Sequence, residues 1–80
     1  MSYFKDDTIN LWTKWAEDYL AIKSWNNRES IETGAEAWHI AHGCGITQAA
    51  YADEKVTDAH IKTALTHIFP NAIFKDKYHY

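Results

Sequence analysis

The chain predicts an all-α fold, a compact three- to four-helix bundle forming a single domain. Apolar residues recur at helical spacing in a long early stretch and again near the end. The intervals between these stretches carry helix-stop signals: Asn26-Asn27, Gly43-Cys44-Gly45 and Pro70-Asn71. No run of alternating β-branched residues is bounded by turns, so strand signals are weak. Eighty residues with 46% hydrophobic and 15% aromatic content suit one folded domain with a modest core.

The first helix is expected over about 7–25, with Asp6 or Asp7 as its cap. At ~100° per residue, Ile9, Trp12, Ala16, Tyr19 and Leu20 form one apolar stripe. Leu11, Trp15 and Ile22 form a second beside it. Together they span about half the circumference, more than the ~100° arc one core-facing helix requires. Only Lys23 intrudes. Three of the four tryptophans (Trp12, Trp15, Trp25) lie in this stretch, and a small domain rarely hides every copy of so large a side chain. Two readings follow: a central helix wrapped on both sides by its own domain, or one stripe presented to a partner.

A second helix is expected over about 28–43, capped by Asn27, with Glu29 and Glu32 near its positive end. Ile31, Ala35 and Trp38 define its inner face, joined by Gly34 and Ala41. Gly34, one turn before Trp38, would let another helix approach closely. Gly43-Cys44-Gly45 ends the helix, since glycine accepts the left-handed conformation found there. A short third helix is expected over about 48–54, with Thr47 as cap and Ile46 stapled onto Tyr51. The fourth, about 58–69, has Val56 reaching Ile61 and the clearest core pattern: Ile61, Ala64, Leu65 and Ile68. Pro70-Asn71 terminates it. The tail 70–80 is expected to pack back through Phe74, with its last residues fraying.

Net charge is −3. Residues 1–40 hold four basic and seven acidic groups, against four of each in residues 41–80. With no Lys/Arg cluster, this balance argues against a strong nucleic-acid binder, which needs several phosphate-neutralising cations. It is also too mild for an acidic nucleic-acid mimic. A single cysteine excludes an intrachain disulfide and suits a reducing compartment. An early acidic pair stands where a signal peptide would be basic, and no apolar run is long enough for a membrane span. A cytoplasmic location is the expectation.

The most motif-like segment is Ile40-Ala41-His42-Gly43-Cys44-Gly45-Ile46-Thr47-Gln48-Ala49-Ala50-Tyr51. It resembles the core of a repressor-type helix-turn-helix over about twelve residues. There a small residue at Ala41 lets two helices touch, Gly45 makes the turn and Gln48 opens the recognition helix. The resemblance implies DNA contacts by Thr47, Gln48 and Tyr51. It departs from the pattern at Gly43, which weakens the first helix, and at Asp53-Glu54, whose carboxylates phosphates would repel.

His39, His42 and Cys44 are close in sequence but match no zinc spacing, and His60 and His67 lie about 10 Å apart along one helix at 1.5 Å per residue. No metal or other cofactor is expected. His42 falls on an apolar face, where a structural histidine is the commoner outcome. Cys44 beside His42 lacks the convergence from distant segments that thiol catalysis requires. No phosphate loop or serine-nucleophile motif is present. These observations predict a non-enzymatic interaction module. It would bind a protein partner, or a second copy as a homodimer, through Leu11, Trp15 and Ile22, with Trp25 at the rim. By analogy, phages and mobile elements encode accessory or inhibitor proteins of this kind. The alternative is a small helix-turn-helix DNA regulator using segment 40–51.

Overall fold

A computed structural model describes residues 3–74. Among the described residues four α-helices follow one another: α1 (Asp6–Ile22), α2 (Gly34–Cys44), α3 (Ile46–Tyr51) and α4 (Asp58–Ile68), with a 3-10 turn (Arg28–Ser30) between α1 and α2. Among the described residues there is no strand, only an isolated parallel bridge between Thr33 and Ile73. The all-α bundle is therefore the architecture, with four helices among the described residues.

α1 packs against both α2 and α4, and α2 in turn meets α3 and α4. The stripe Trp12, Ala16 and Leu20 is buried, while Ile9 and Tyr19 on the same side are partly buried against the core. The facing surfaces are supplied by Trp38 and Ile40 of α2, Ile46 of α3, and Ile61, Leu65 and Ile68 of α4, all 2% exposed or less. Fully buried alanines (Ala16, Ala37, Ala41, Ala64) bring the helix backbones close where a larger side chain would hold them apart. At Gly43 a Cβ would overlap the Tyr19 ring. Gly43 thus lets α1 lie against the end of α2.

Several helix ends differ from the local sequence signals. α1 starts one residue early: the Ile9 N–H donates to the Lys5 carbonyl at 3.1 Å, so Lys5 is the cap. Asp6 and Asp7 lie in the first turn, where their charge favours the positive end of the helix dipole. The helix stops at Ile22 rather than Trp25. The second helix does not begin at residue 28. Asn27 accepts from the Glu29 N–H at 2.9 Å, but it caps only the 3-10 turn. Thr33 is the cap of α2, accepting from the Glu36 N–H at 3.1 Å and donating to Glu36 Oε1 at 3.1 Å. Glu29 and Glu32 therefore lie before α2, and Glu36 takes the first-turn position.

A contact far along the chain causes this shift. The Ile73 N–H donates to the Glu32 carbonyl, and the Gly34 N–H donates to the Ile73 carbonyl, both at 3.2 Å. Residues 31–33 are thereby held extended. Gly34 opens α2 against the Phe74 ring, so its close neighbour is the returning C-terminal segment and not another helix. Gly45, with φ of 91°, ends α2 and begins α3. α3 accordingly spans 46–51 rather than 48–54, and Thr47 lies inside it instead of capping it. At α4 the Thr57 N–H donates to His60 Nδ1 at 3.2 Å. His60 fills the place of the usual Glu or Gln in a capping box.

Adding a methyl at residue 34 would place it 2.8 Å from Phe74 Cδ1 and 3.2 Å from the Ile73 carbonyl. Gly34→Ala is expected to lower stability by about 1–2 kcal/mol, the range for overpacking a filled site. Urea denaturation measures it; an unchanged midpoint would show that the returning segment is not seated there in solution.

Candidate functional site

The end of α1 is built by a Schellman motif. The Ser24 N–H donates to the Ala21 carbonyl at 3.2 Å and the Trp25 N–H to the Leu20 carbonyl at 3.0 Å. Ser24 takes the left-handed conformation with φ of 57°, a position that glycine usually fills. Trp25 is thereby turned back over the last helical turn. Tyr19 meets its ring edge-on, with centroids 6.2 Å apart, and His39 of α2 stacks on it at 5.6 Å. Lys23 Nζ lies 5.6 Å from the Tyr19 ring centre. Held in this way, Trp25 is still 40% exposed, and Ile22, three residues earlier, is 78% exposed.

Trp25 is a wall shared by two grooves. The first, of about 450 Å³, runs along the end of α1 to the 3-10 turn and is lined by Glu17, Leu20, Arg28 and Glu29 among others. The second, of about 330 Å³, lies toward the start of α2 and includes Ser24, Ile31 and Glu36. Arg28, which lines the first groove, is held by two contacts. Its Nη1 donates to the Ile68 carbonyl at 3.0 Å, and its Nε lies 3.8 Å from Glu17 Oε2.

The four residues expected to meet a partner are not equivalent. Ile22 and Trp25 flank the Schellman turn. Leu11 is 47% exposed, but about 16 Å from Ile22 at 1.5 Å per residue. Trp15 between them is partly buried against the core. Asp18, paired with Lys14 at 3.5 Å, falls on the same outer stripe. The outer face of α1 is thus interrupted, and its exposed apolar surface is concentrated at the helix end. Sequence periodicity does not bring Glu17, Arg28, Glu29 and His39 to Trp25; the turn at Ser24 and the 3-10 turn do. The non-helical run Ser24-Trp25-Asn26-Asn27 was the available signal, since it places a tryptophan in a loop.

The segment 40–51 forms two helices joined through Gly45 alone, where a helix-turn-helix uses three or four residues. Thr47 is 3% exposed and its hydroxyl lies 3.1 Å from His42 Nδ1. As a contact to base edges Thr47 is therefore corrected: its side chain packs inward and its hydroxyl is used within the fold. Gln48 is exposed. Tyr51 is 44% exposed, and its hydroxyl donates to Asp58.

His39 faces Trp25 and His42 lies against Trp38, with ring centres 5.9 Å apart. Among the described residues no group of three or more His, Cys, Asp or Glu side chains is placed to hold a metal ion. The Cys44 thiol lies 3.9 Å from the Ala41 carbonyl, and burial raises its pKa above the ordinary 9.0, which disfavours the nucleophilic thiolate. No described helix is long and apolar enough to cross a membrane. Comparison with family models, curated proteins and solved structures finds no match to this chain.

A second aromatic cluster, not evident from the sequence, lies near the N-terminus. Tyr3 stacks on His60 with ring centres 4.3 Å apart, and Phe4 meets Trp12 at 4.5 Å. The Tyr3 hydroxyl donates to Asp53 Oδ2 at 2.9 Å. That hydrogen bond, with smaller contributions from desolvation and the Asp53 charge, raises the Tyr3 pKa above its ordinary 10.0. The Lys55 N–H, then the Tyr3 hydroxyl, lower that of Asp53 below its ordinary 3.8.

Two predictions follow from these contacts. Ser24→Gly relieves the left-handed conformation and should stabilise the fold by about 0.5–1 kcal/mol, read as a higher melting temperature; a lower one would contradict the Schellman geometry. The Tyr3–Asp53 bond should also limit its own pH range. A raised tyrosine contributes stability below pH 10.0 that is lost as pH climbs through its folded value. A lowered aspartate contributes above pH 3.8 and loses that contribution as pH falls through its folded value. Ultraviolet titration should show that Tyr3→Phe removes a phenol ionising above 10.0; removal of an ordinary phenol would mean the bond is not made in solution.

Proposed function

We propose that this protein is a small, non-enzymatic helical module of accessory or inhibitor type that docks on a protein partner through the end of α1. The observation that carries the reading is the joint exposure of Ile22 (78%) and Trp25 (40%) beside a groove. Single exposed apolar residues are ordinary on protein surfaces. Ile22 and Trp25 differ because they lie within three residues of one another, and Trp25 is held in place by Tyr19, His39 and the Schellman turn. A tryptophan fixed before binding loses little freedom on docking, which favours its use as an anchor.

Covering what remains exposed of these two side chains would remove roughly 200–250 Å² from water, or about 5–6 kcal/mol at ~25 cal/mol/Å². The cost of association, at least about 4 kcal/mol, offsets most of that. The pair therefore anchors a complex without sufficing for it, and further contacts from the grooves or from Leu11 are required. A non-catalytic role accords with the raised Cys44 pKa and with the engagement of His42 by Thr47.

The test is co-purification from the native host with wild type and with an Ile22→Ser/Trp25→Ser double variant, whose helicity is checked by circular dichroism. A protein retained by wild type and reduced at least about tenfold by the variant, a loss of ~1.4 kcal/mol, is the expected result. Equal retention by a folded variant would overturn the reading.

A further inference from the structure

We infer that the partner segment seated on this surface is basic, with Lys or Arg side chains beside an aliphatic one, lying across Trp25 between the carboxylates that flank it. This rests on the docking role proposed above and adds the chemistry of the occupant. The whole chain has eight basic and eleven acidic residues. Residues 17–36 contain five acids (Glu17, Asp18, Glu29, Glu32, Glu36) and two bases (Lys23, Arg28), a balance of −3. The remaining six acids and six bases cancel. All of the net charge thus lies in the segment that forms the end of α1, the 3-10 turn and the start of α2, where Ile22 and Trp25 are exposed.

Side-chain pairing leaves much of that charge uncompensated. Among the described residues the ion pairs are Lys14–Asp18 and Arg28–Glu17. Arg28 is further committed to the Ile68 carbonyl. Glu29 in one groove and Glu36 in the other have no ion-pair partner among the described residues, and Trp25 lines both grooves. A cationic side chain entering either groove would meet a carboxylate and the indole together, an arrangement in which ring and charge attract the same ion. A neighbouring aliphatic side chain would cover Ile22. A second copy of the chain fits poorly, because a two-fold contact here would set this acidic surface against itself. An anionic partner meets the same repulsion.

The probe is the peptide acetyl-Leu-Arg-Ala-Leu-Arg-Lys-amide, titrated into nitrogen-15-labelled protein and followed by nuclear magnetic resonance. Its control is the same peptide with every cation replaced by Glu. The expected result is a saturable shift of the Trp25 indole N–H and of the amides of residues 20–29, absent with the control. Dissociation constants should rise about fivefold as salt goes from about 0.05 to about 0.3 M. They should rise roughly three- to tenfold in Glu29→Gln/Glu36→Gln, a change that keeps a side-chain acceptor for Thr33. No shift, equal shifts with the acidic control, shifts elsewhere, or affinity indifferent to those carboxylates would overturn the inference. So would a dimer seen by sedimentation that Trp25→Ala dissolves. Failure here is separable from failure of the docking role. A host protein lost with Ile22→Ser/Trp25→Ser but retained by Glu29→Gln/Glu36→Gln at every salt concentration keeps the docking role and removes the charge requirement.

Discussion

Burial of Trp12, Ala16 and Leu20 along one stripe of α1 is the constraint on which the rest of the structure depends. These side chains face α2 and α4 together, so a single helix joins the two halves of the bundle. The small residues that line the contacts are required by it. Ala37 and Ala41 of α2 and Ala64 of α4 are fully buried, and Gly43 leaves room for the Tyr19 ring. With interiors packed at crystal-like density, a larger residue at these positions would move α1 outward as a body.

The surface features follow from that placement. Once one stripe is committed inward, Trp15 beside it is drawn partly into the core, and Leu11 and Ile22 remain outside. The Tyr19 ring, fixed by α1 against Gly43, supports the edge of Trp25, and α2 supplies His39 to its face. Anchor and core thus share supports. The ring contacts to Tyr19 and His39 separate Trp25 from an aromatic residue in a loop without such supports.

Much of this was legible locally. The apolar spacing of α4 placed it within one residue of its observed end, and Gly45 marked the α2–α3 junction because its φ requires a residue without a Cβ. Val56 reaching Ile61 marked the start of α4, although the capping-box partner of Thr57, His60, did not stand out. The start of α2 was not legible. Asn27 and Thr33 are both competent caps, and the choice between them is made by Ile73, some forty residues away. For the site, the second apolar stripe of α1 contained Leu11 and Ile22, both of which are exposed. It also suggested Trp15, whose partial burial depends on tertiary packing. The convergence of Glu17, Glu29 and Glu36 around Trp25 has no periodic signature, because a left-handed serine and a 3-10 turn create it.

The link between the α1–α2 connection and the segment after α4 bears on how the protein is made. Arg28 is tied to the Ile68 carbonyl, Asn71 to the Glu29 carbonyl, and Ile73 to residues 32 and 34. Every one of these ties spans about forty positions. During synthesis the first three helices emerge well before the residues that fix the connection between two of them. A nascent chain that has not yet released residue 73 into solvent therefore lacks the clamps that shape the walls around Trp25.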